Sequence, residues 1–212
     1  MIRFSLFGIP VEVQPFFWVS LVILGGASGA DSAGAIFRIV LFILAGFISI
    51  LVHELGHALT ARSFGANCRI VLQAFGGYAA YSGVQMSRKR SFLITLAGPA
   101  IQIILGLIVL AAYFYLPRMS ENGEHFLVTL MGISFIWAIL NLLPVLPLDG
   151  GQMLNALLGP ARIKITLWVT IITATVVAIG MLVLDPRDFI FPIFMGMFAW
   201  QAFQALRDHR LG

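Results

Sequence analysis

Two histidines and a glutamate lie within five residues of one another in an otherwise apolar stretch. His53 and His57 are four residues apart, and Glu54 directly follows the first histidine. On a helix, residues four apart lie on one face, so both imidazoles can reach one metal ion. This H-E-x-x-H spacing is typical of helices whose histidines bind Zn²⁺ while the glutamate acts as a general base toward water. The alternative is a set of buried polar residues that bridge helices.

A catalytic zinc ion usually has three protein ligands and one open position, so a third ligand is needed. Asp149 is the best candidate, because it follows the end of an apolar span and lies in an apolar stretch itself. The alternative role is a turn residue, since Asp149-Gly150-Gly151 also suits a turn. Two histidines and a carboxylate favour one zinc ion per chain, although cobalt or iron can take the same ligands.

The composition excludes an ordinary soluble enzyme. Of the 212 residues, 60% are hydrophobic and 10% are charged, whereas about a quarter of the residues in a soluble domain are charged. Too few charged side chains remain to cover a surface that faces water. The composition therefore predicts an α-helical integral membrane protein. Since the H-E-x-x-H spacing is typical of metalloproteases, we expect residues 1–212 to form one membrane-embedded metalloprotease domain.

Six hydrophobic segments are predicted. The first, residues 16–24, is short and is expected to form a short helix or a re-entrant segment. The other five are long enough to cross a bilayer, and they cover residues 35–61, 91–116, 126–143, 163–184 and 189–206. No connecting loop exceeds about 30 residues, which is too short for an appended soluble module such as a PDZ domain.

The basic residues predict an orientation in the membrane. If the six segments alternate in direction, ten of the 13 basic residues fall on one side, and Arg38, Arg118 and Arg187 fall on the other. Because cytoplasmic loops are rich in Lys and Arg, the side with ten is expected to be cytoplasmic. His53 lies nine residues before Arg62, about 13 Å of helix from that boundary. We predict a multi-pass protein of the cell membrane with its site toward the cytoplasm.

Two short β elements are predicted beside the helices. Residues 2–13 alternate apolar and polar positions around a Gly8-Ile9-Pro10 break, which indicates two strands. Residues 69–75 and 78–82 flank Gly76-Gly77, a pair typical of a two-residue hairpin turn. Strand edges are not tolerated in lipid unless they line a cavity or pair with another strand. An unwound substrate could therefore pair with this hairpin; alternatively, the hairpin caps the bundle.

Two motifs resemble those of the site-2 proteases, the intramembrane zinc metalloproteases. The segment from Asn141 to Gly150 reads N-L-L-P-V-L-P-L-D-G, similar to the N-x-x-P-x-x-P-L-D-G signature of that family, and it follows the H-E-x-x-H motif in the expected order. The resemblance covers nearly the whole hydrophobic chain and implies a compact form without an appended PDZ domain. It implies cleavage of membrane-embedded peptide bonds.

The resemblance also implies roles for individual residues. His53, His57 and Asp149 would bind zinc, Glu54 would be the base, and Asn141 would hold the substrate or the developing oxyanion. The hairpin residues Phe75, Gly76, Gly77 and Tyr78 would receive the substrate strand. One position departs from the family pattern: Gln102 follows Ala97-Gly98-Pro99 where the family usually has asparagine. We expect Gln102 to be structural, because its amide is displaced by about one bond length, about 1.5 Å.

The predicted function is zinc-dependent intramembrane endopeptidase activity in regulated proteolysis. Its expected partners are a transmembrane protein substrate and the lipid bilayer. No nucleic-acid partner is expected, because the run Arg88-Lys89-Arg90 directly precedes a span and is better explained as an orientation signal. The alternatives are a non-catalytic zinc-binding membrane scaffold and a metal transporter, which would need a polar path through both leaflets. The oligomeric state is not predicted.

Overall fold

A computed structural model describes residues 1–26, 31–117, 119–186 and 189–211 of the chain. Arg118 and Arg187, two of the three basic residues expected on the outer side, lie outside these ranges. In chain order the elements are β1 (Ile2–Leu6), β2 (Ile9–Val13), α1 (Pro15–Leu24), α2 (Ala33–Ser63), β3 (Asn67–Gln73), β4 (Gly76–Ser82), α3 (Arg88–Tyr115), α4 (Glu121–Asn141), α5 (Asp149–Leu158), a 3₁₀ turn (Pro160–Arg162), α6 (Ile163–Leu184) and α7 (Ile190–Leu211).

The chain divides into two compact units. The first contains Met1–Gln85 and Ala97–Ile139, and the second contains Met86–Leu96 and Leu140–Gly212. The first unit therefore holds the whole sheet, α1, α2, most of α3 and most of α4. The second holds α5, α6 and α7 together with the start of α3. The single domain expected from the sequence stays a prediction.

In the part of the chain that the structure describes, four helices are long and apolar enough to cross a membrane: Ala33–Ser63, Arg88–Tyr115, Glu121–Asn141 and a helical stretch over Pro160–Leu184. They support the predicted helical membrane protein, but not the full count of six crossing segments. The first predicted segment forms α1, whose ten residues span about 15 Å, roughly half of a 30 Å hydrocarbon core. The last forms α7 and is not among the four.

The two predicted β elements join in one four-stranded sheet of order β1-β2-β3-β4. β1 pairs with β2 and β3 pairs with β4, both antiparallel, while β2 and β3 pair in parallel through Val11–Val13 and Ile70–Leu72. Phe7 and Gly8 form the first turn with φ of 51° and 74°, values typical of the type I′ turn of a tight hairpin. The predicted N-terminal strands are confirmed, but the break is at Phe7-Gly8, because Ile9 and Pro10 pair with β1 as part of β2. β4 is an edge strand.

The second hairpin is confirmed, but its predicted turn is wrong. Gln73 pairs with Gly76, so the turn residues are Ala74 and Phe75, and the glycine pair Gly76-Gly77 lies inside β4. Phe75 has φ of 59°, which is rare for an aromatic residue, and its backbone N–H donates to Ser20 Oγ at 3.1 Å. That bond to α1 supports the turn. Glycine is therefore not needed at the tip, and Gly77 has another role in the strand.

The core of the first unit packs the sheet against α1 and α2. Inward side chains of β2 and β3 meet the apolar face of both helices, and the fully buried ring of Phe17 lies among them. A second cluster, built on Ala45, Val109 and Leu130, joins α2, α3 and α4. Burying a large apolar side chain contributes about 1.5–3 kcal/mol where water is the reference solvent. These contacts hold the H-E-x-x-H segment of α2 at a defined position beside the sheet.

The second unit packs α6 against α7. One cluster joins Ala174 and Met195 with Val145, which precedes α5, and another joins Leu167 with Ala202 and Leu206. The backbone N–H of Leu146 donates to Thr170 Oγ1 at 3.1 Å, which ties the segment before α5 to α6. The first residue of α5, Asp149, is thereby held by contacts of the segment that precedes it.

Candidate metal and catalytic site

The C-terminal half of α2 carries three buried ionisable side chains. His53 and Glu54 are each 4% exposed and His57 is 8% exposed. The helix continues past them and ends at Ser63, where Gly65 takes the left-handed conformation at φ of 91° and its N–H donates to the Arg62 carbonyl. A left-handed glycine after the last turn is a common helix stop. The predicted placement of this motif on a helix is confirmed.

The two histidines point at the same place. Their Nε2 atoms are 3.0 Å apart, with ring planes inclined by 83°. Two nitrogens bound to one tetrahedral zinc at about 2.0–2.1 Å would lie about 3.3 Å apart. The observed pair therefore fits two ligands of one metal ion with little movement, and this spacing supports a metal site.

Gln102 contacts the site, contrary to the expectation of a purely structural residue. It is fully buried on α3, and its Oε1 lies 2.9 Å from Nδ1 of His53. The extra methylene that displaces its amide relative to asparagine does not prevent this contact. Sequence reasoning weighed the length of the side chain but could not know how far α3 lies from α2.

A close approach of α2 and α3 explains two glycines. A Cβ built at Gly56 would lie 2.5 Å from the Ala97 carbonyl oxygen, and one built at Gly98 would overlap the His57 ring, 2.9 Å from its Cδ2 atom. Small residues at helix contacts let membrane helices approach closely. Gly98 is thus part of the site and was missed at the sequence level; a glycine within an apolar helix was the available signal.

Strand β4 runs directly beside Glu54. A Cβ built at Gly77 would lie 3.0 Å from both Cγ and Oε1 of Glu54, and 2.8 Å from Leu72 Cδ2. Glycine within a strand often marks a close approach of backbone to another group. Gly77 therefore serves the contact with the glutamate, which explains why the glycine pair lies in the strand and outside the turn. Phe75 and Tyr78 lie on the same hairpin, and Tyr78 is exposed.

Asp149 and Asn141 belong to the second unit. Asn141 is the last residue of α4, and Asp149 is the first residue of α5 and is buried. A Cβ at Gly150 or Gly151 would overlap the backbone of Leu142–Leu146. The Asp-Gly-Gly sequence thus begins a helix folded tightly onto the preceding segment, so the alternative role as a turn is wrong. A carboxylate in the first turn of a helix is stabilised by the helix dipole.

Comparisons with known proteins identify the family. Residues 41–121 and 117–184 match the model of peptidase family M50. A zinc metalloprotease of Methanocaldococcus jannaschii is 34% identical over 157 residues, covering 74% of this chain and 44% of that protein. Stage IV sporulation protein FB of Bacillus subtilis is 32% identical over 148 residues, covering 68% of this chain and 46% of that protein. The chain thus spans less than half the length of these curated relatives.

A solved structure shares the fold. The site-2 protease from Methanocaldococcus jannaschii superposes with a TM-score of 0.67 at 26% identity, covering 97% of this chain and 94% of the solved chain. The family model matches about two thirds of the sequence, including both the H-E-x-x-H segment and the segment that ends in Asp149. This chain therefore belongs to peptidase family M50, in agreement with its resemblance to the site-2 proteases.

Proposed function

We propose that the protein is a zinc-dependent endopeptidase that cleaves peptide bonds in or near transmembrane segments of membrane proteins. The observation that carries this proposal is the convergence of His53 and His57 Nε2 at 3.0 Å, with the buried Glu54 between them in the sequence. Membership of family M50 and relatives named as zinc metalloproteases support the reaction class. The four long apolar helices support a substrate within the membrane.

The proposed zinc ligands are His53, His57 and Asp149, at one ion per chain. The two imidazole nitrogens fit the ion by their spacing, and a carboxylate completes the His-His-carboxylate donor set that zinc proteases use. Asp149 is buried at a helix start, and a buried carboxylate needs a cationic or hydrogen-bonded partner. When bound, zinc lowers the pKa of water toward about 7 and polarises the scissile carbonyl.

Glu54 is the proposed general base. It takes a proton from the attacking water and delivers it to the amide nitrogen that leaves, so both the C–N bond cleavage and the proton balance are accounted for. The β4 backbone passes close to the same side chain at Gly77. Asn141 is proposed to hold the substrate or the developing oxyanion, as the family resemblance implies.

Strand β4 is the proposed docking edge for the substrate. A peptide bond in a helix is shielded by its own hydrogen bonds, so a transmembrane substrate must unwind locally before hydrolysis. An unwound segment that adds to an edge strand satisfies its backbone groups and those of the edge. Strands pair about 4.8 Å apart, and Gly77 of β4 contacts Glu54. Pairing along Phe75, Gly76, Gly77 and Tyr78 would bring the substrate backbone near the base.

The proposed location is a cell membrane, with the site toward the cytoplasm. This orientation rests on the predicted alternation of six segments, which would group ten basic residues on one side, Arg62 at the end of α2 among them. The proposed partners are a transmembrane protein substrate and the surrounding lipid, and no nucleic acid. A hydrated path from that side would be the shortest, since His53 is about 13 Å of helix from Arg62.

The test compares wild type with Glu54→Gln in detergent. We expect both proteins to hold about one zinc, but only the wild type to cleave a transmembrane substrate, in a chelator-sensitive way. Glu124→Gln, which makes the same change at the start of α4, is the matched control and should behave as wild type. Equal cleavage by Glu54→Gln would exclude the base role, and loss of zinc from both would exclude the ligand set.

This experiment, with a zinc-transport assay in vesicles beside it, separates the alternatives. A non-catalytic zinc-binding scaffold would hold zinc in both proteins and cleave nothing. A metal transporter would move zinc across a vesicle membrane, with little dependence on Glu54. Proteolysis that depends on Glu54 excludes both.

A further inference from the structure

A chain of buried hydrogen bonds leads from His53 into the helix bundle. Gln102 Oε1 lies 2.9 Å from His53 Nδ1, and Gln102 Nε2 donates to Ser49 Oγ at 2.8 Å. Ser49 Oγ is 3.1 Å from Ser134 Oγ, and Ser134 Oγ donates to the backbone carbonyl of Leu130 at 2.7 Å. Ser49, Gln102 and Ser134 are fully buried. The chain links α2, α3 and α4 within the first unit.

The carbonyl at the far end sets the direction of every bond. A carbonyl oxygen can only accept, so the single hydroxyl proton of Ser134 goes to Leu130. Ser134 must then accept from Ser49, and Ser49 must accept from the amide nitrogen of Gln102. This orientation turns the amide oxygen of Gln102 toward His53. The Ser49 backbone carbonyl, 3.5 Å from Gln102 Nε2, favours the same amide orientation.

The donor-to-acceptor direction of these hydrogen bonds decides the tautomer of His53. An amide oxygen can only accept, so it selects the form of the imidazole that carries its proton on Nδ1. The lone pair is then on Nε2, and it is this atom that lies 3.0 Å from Nε2 of His57. Histidines that bind metals generally donate their other ring N–H to such a partner, which orients the ring and strengthens the ligand.

We infer that Gln102 is a positioning residue for the metal site: with Ser49 and Ser134 it holds His53 in the Nδ1–H tautomer, so that the lone pair that binds zinc is on Nε2 before the ion arrives. This inference rests on the proposed metal site and deepens it. Gln102 is fully buried and acts through its contact with His53, so its effect is on zinc affinity. Loss of such a partner typically weakens metal binding by about 10- to 100-fold.

The first test reads the tautomer in the metal-free wild type. Protein with ¹⁵N-labelled histidine is prepared in detergent at mildly alkaline pH, and the His53 resonances are assigned among the four histidines with single-histidine variants. We expect His53 to carry its proton on Nδ1. A proton on Nε2 would overturn the inference without any mutation at position 102. This readout requires no proteolysis, so it remains decisive if the proposed peptidase activity fails.

The second test measures zinc affinity by competition with a chelator. Gln102→Leu removes the acceptor at similar size, and we expect zinc binding to weaken about 10- to 100-fold. Gln102→Glu keeps an acceptor toward Nδ1 and should bind zinc within a few-fold of wild type. Equal loss in both variants, or wild-type affinity in Gln102→Leu, would show that the amide only fills space and would overturn the inference.

The third test interrupts the series of hydrogen bonds at Ser134, away from the proposed metal site. Ser134→Ala removes the acceptor of the Ser49 hydroxyl, and we expect both the Nδ1–H population of His53 and the zinc affinity to fall by the same factor. Ser63→Ala is the matched control, because its hydroxyl also donates to a backbone carbonyl, that of Thr60 at 2.8 Å, but is exposed. Weaker zinc binding with an unchanged tautomer population would contradict the inference that these hydrogen bonds set the tautomer of His53.

Discussion

The contact between Gly98 and His57 yields a prediction of metal loss without unfolding. A Cβ at position 98 would lie 2.9 Å from His57 Cδ2 and would overlap Cε1 and Nε2, whereas ordinary contacts begin at 3.4 Å. The ring must therefore move by at least about 0.5 Å, and more at Nε2. Metal–ligand distances tolerate only about ±0.2 Å. Gly98→Ala should thus remove His57 as a ligand.

The expected loss is large because a ligand is displaced. Loss of a residue that merely supports a ligand weakens metal binding by about 10- to 100-fold, so Gly98→Ala should exceed about 100-fold. The three nearest atoms all belong to the tip of one side chain, so the ring can swing aside while the backbone stays in place. The thermal unfolding midpoint of the metal-free protein should remain close to that of wild type.

The assay measures zinc content after purification and zinc affinity by chelator competition, with thermal unfolding of the metal-free proteins alongside. Gly132→Ala is the matched control, because α4 has open space at that position; it should keep its zinc and gain up to about 1 kcal/mol from helix propensity. Wild-type zinc affinity in Gly98→Ala would refute the reasoning. So would an unfolded Gly98→Ala, since the cost would then lie in the packing of α2 against α3.

Three further predictions follow from other contacts. Gly77→Ala should keep zinc but lower the cleavage rate by about 10-fold or more. The alanine Cβ would lie 3.0 Å from Glu54 Oε1 and would displace this carboxylate by several tenths of an ångström. An unchanged kcat would contradict this prediction. Arg88→Ala should lower the free energy of unfolding by about 1 kcal/mol, measured by denaturant titration. The reason is that Arg88 donates to the Ala156 carbonyl at 2.9 Å and to the Leu157 carbonyl at the end of α5. An equal loss of stability in Lys89→Ala, where the side chain is exposed, would contradict a specific role of these two hydrogen bonds. Burial raises the pKa of the Cys68 thiol, and the Arg62 guanidinium opposes this shift. The native thiolate should therefore form at higher pH than the unfolded one, so alkylation of native protein should lag behind that of denatured protein as pH rises. The stability from the neutral thiol should be fully present below the unfolded pKa and should fall as pH rises from there through the raised native pKa. Coincident alkylation profiles would contradict that shift.

Patterns local in sequence carried the prediction of the metal-binding helix and of the strands. The four-residue spacing of His53 and His57 places both on one face of any helix, whatever surrounds it. The apolar composition similarly predicted membrane-spanning helices, because a helix satisfies its own backbone hydrogen bonds in lipid. The alternation in residues 2–13 predicted two strands, and the tight connection between them requires only local backbone freedom at Gly8.

Sequence patterns alone did not correctly predict the number of membrane-crossing helices or the turn residues of the second hairpin. The first segment was predicted as a short helix or a re-entrant segment, and it forms a helix of ten residues, which is too short to cross a bilayer. Gly76-Gly77 has the composition of a turn, yet the structure uses Gly77 for contact with Glu54 and places Phe75 in the turn. At this position the tertiary contact, and not the local turn propensity of glycine, determines the structure.

Taken by itself, the sequence determined which groups can do chemistry: two imidazoles on one helix face, a carboxylate beside them, and a second carboxylate in a recognisable motif. Only the tertiary structure decided what surrounds those groups. Gln102 turns its amide oxygen to His53, Gly98 makes room for the His57 ring, and Gly77 brings a strand against Glu54. The physical reason is that spacing along one helix sets directions within that helix, whereas the separation of neighbouring elements depends on how all their side chains pack together.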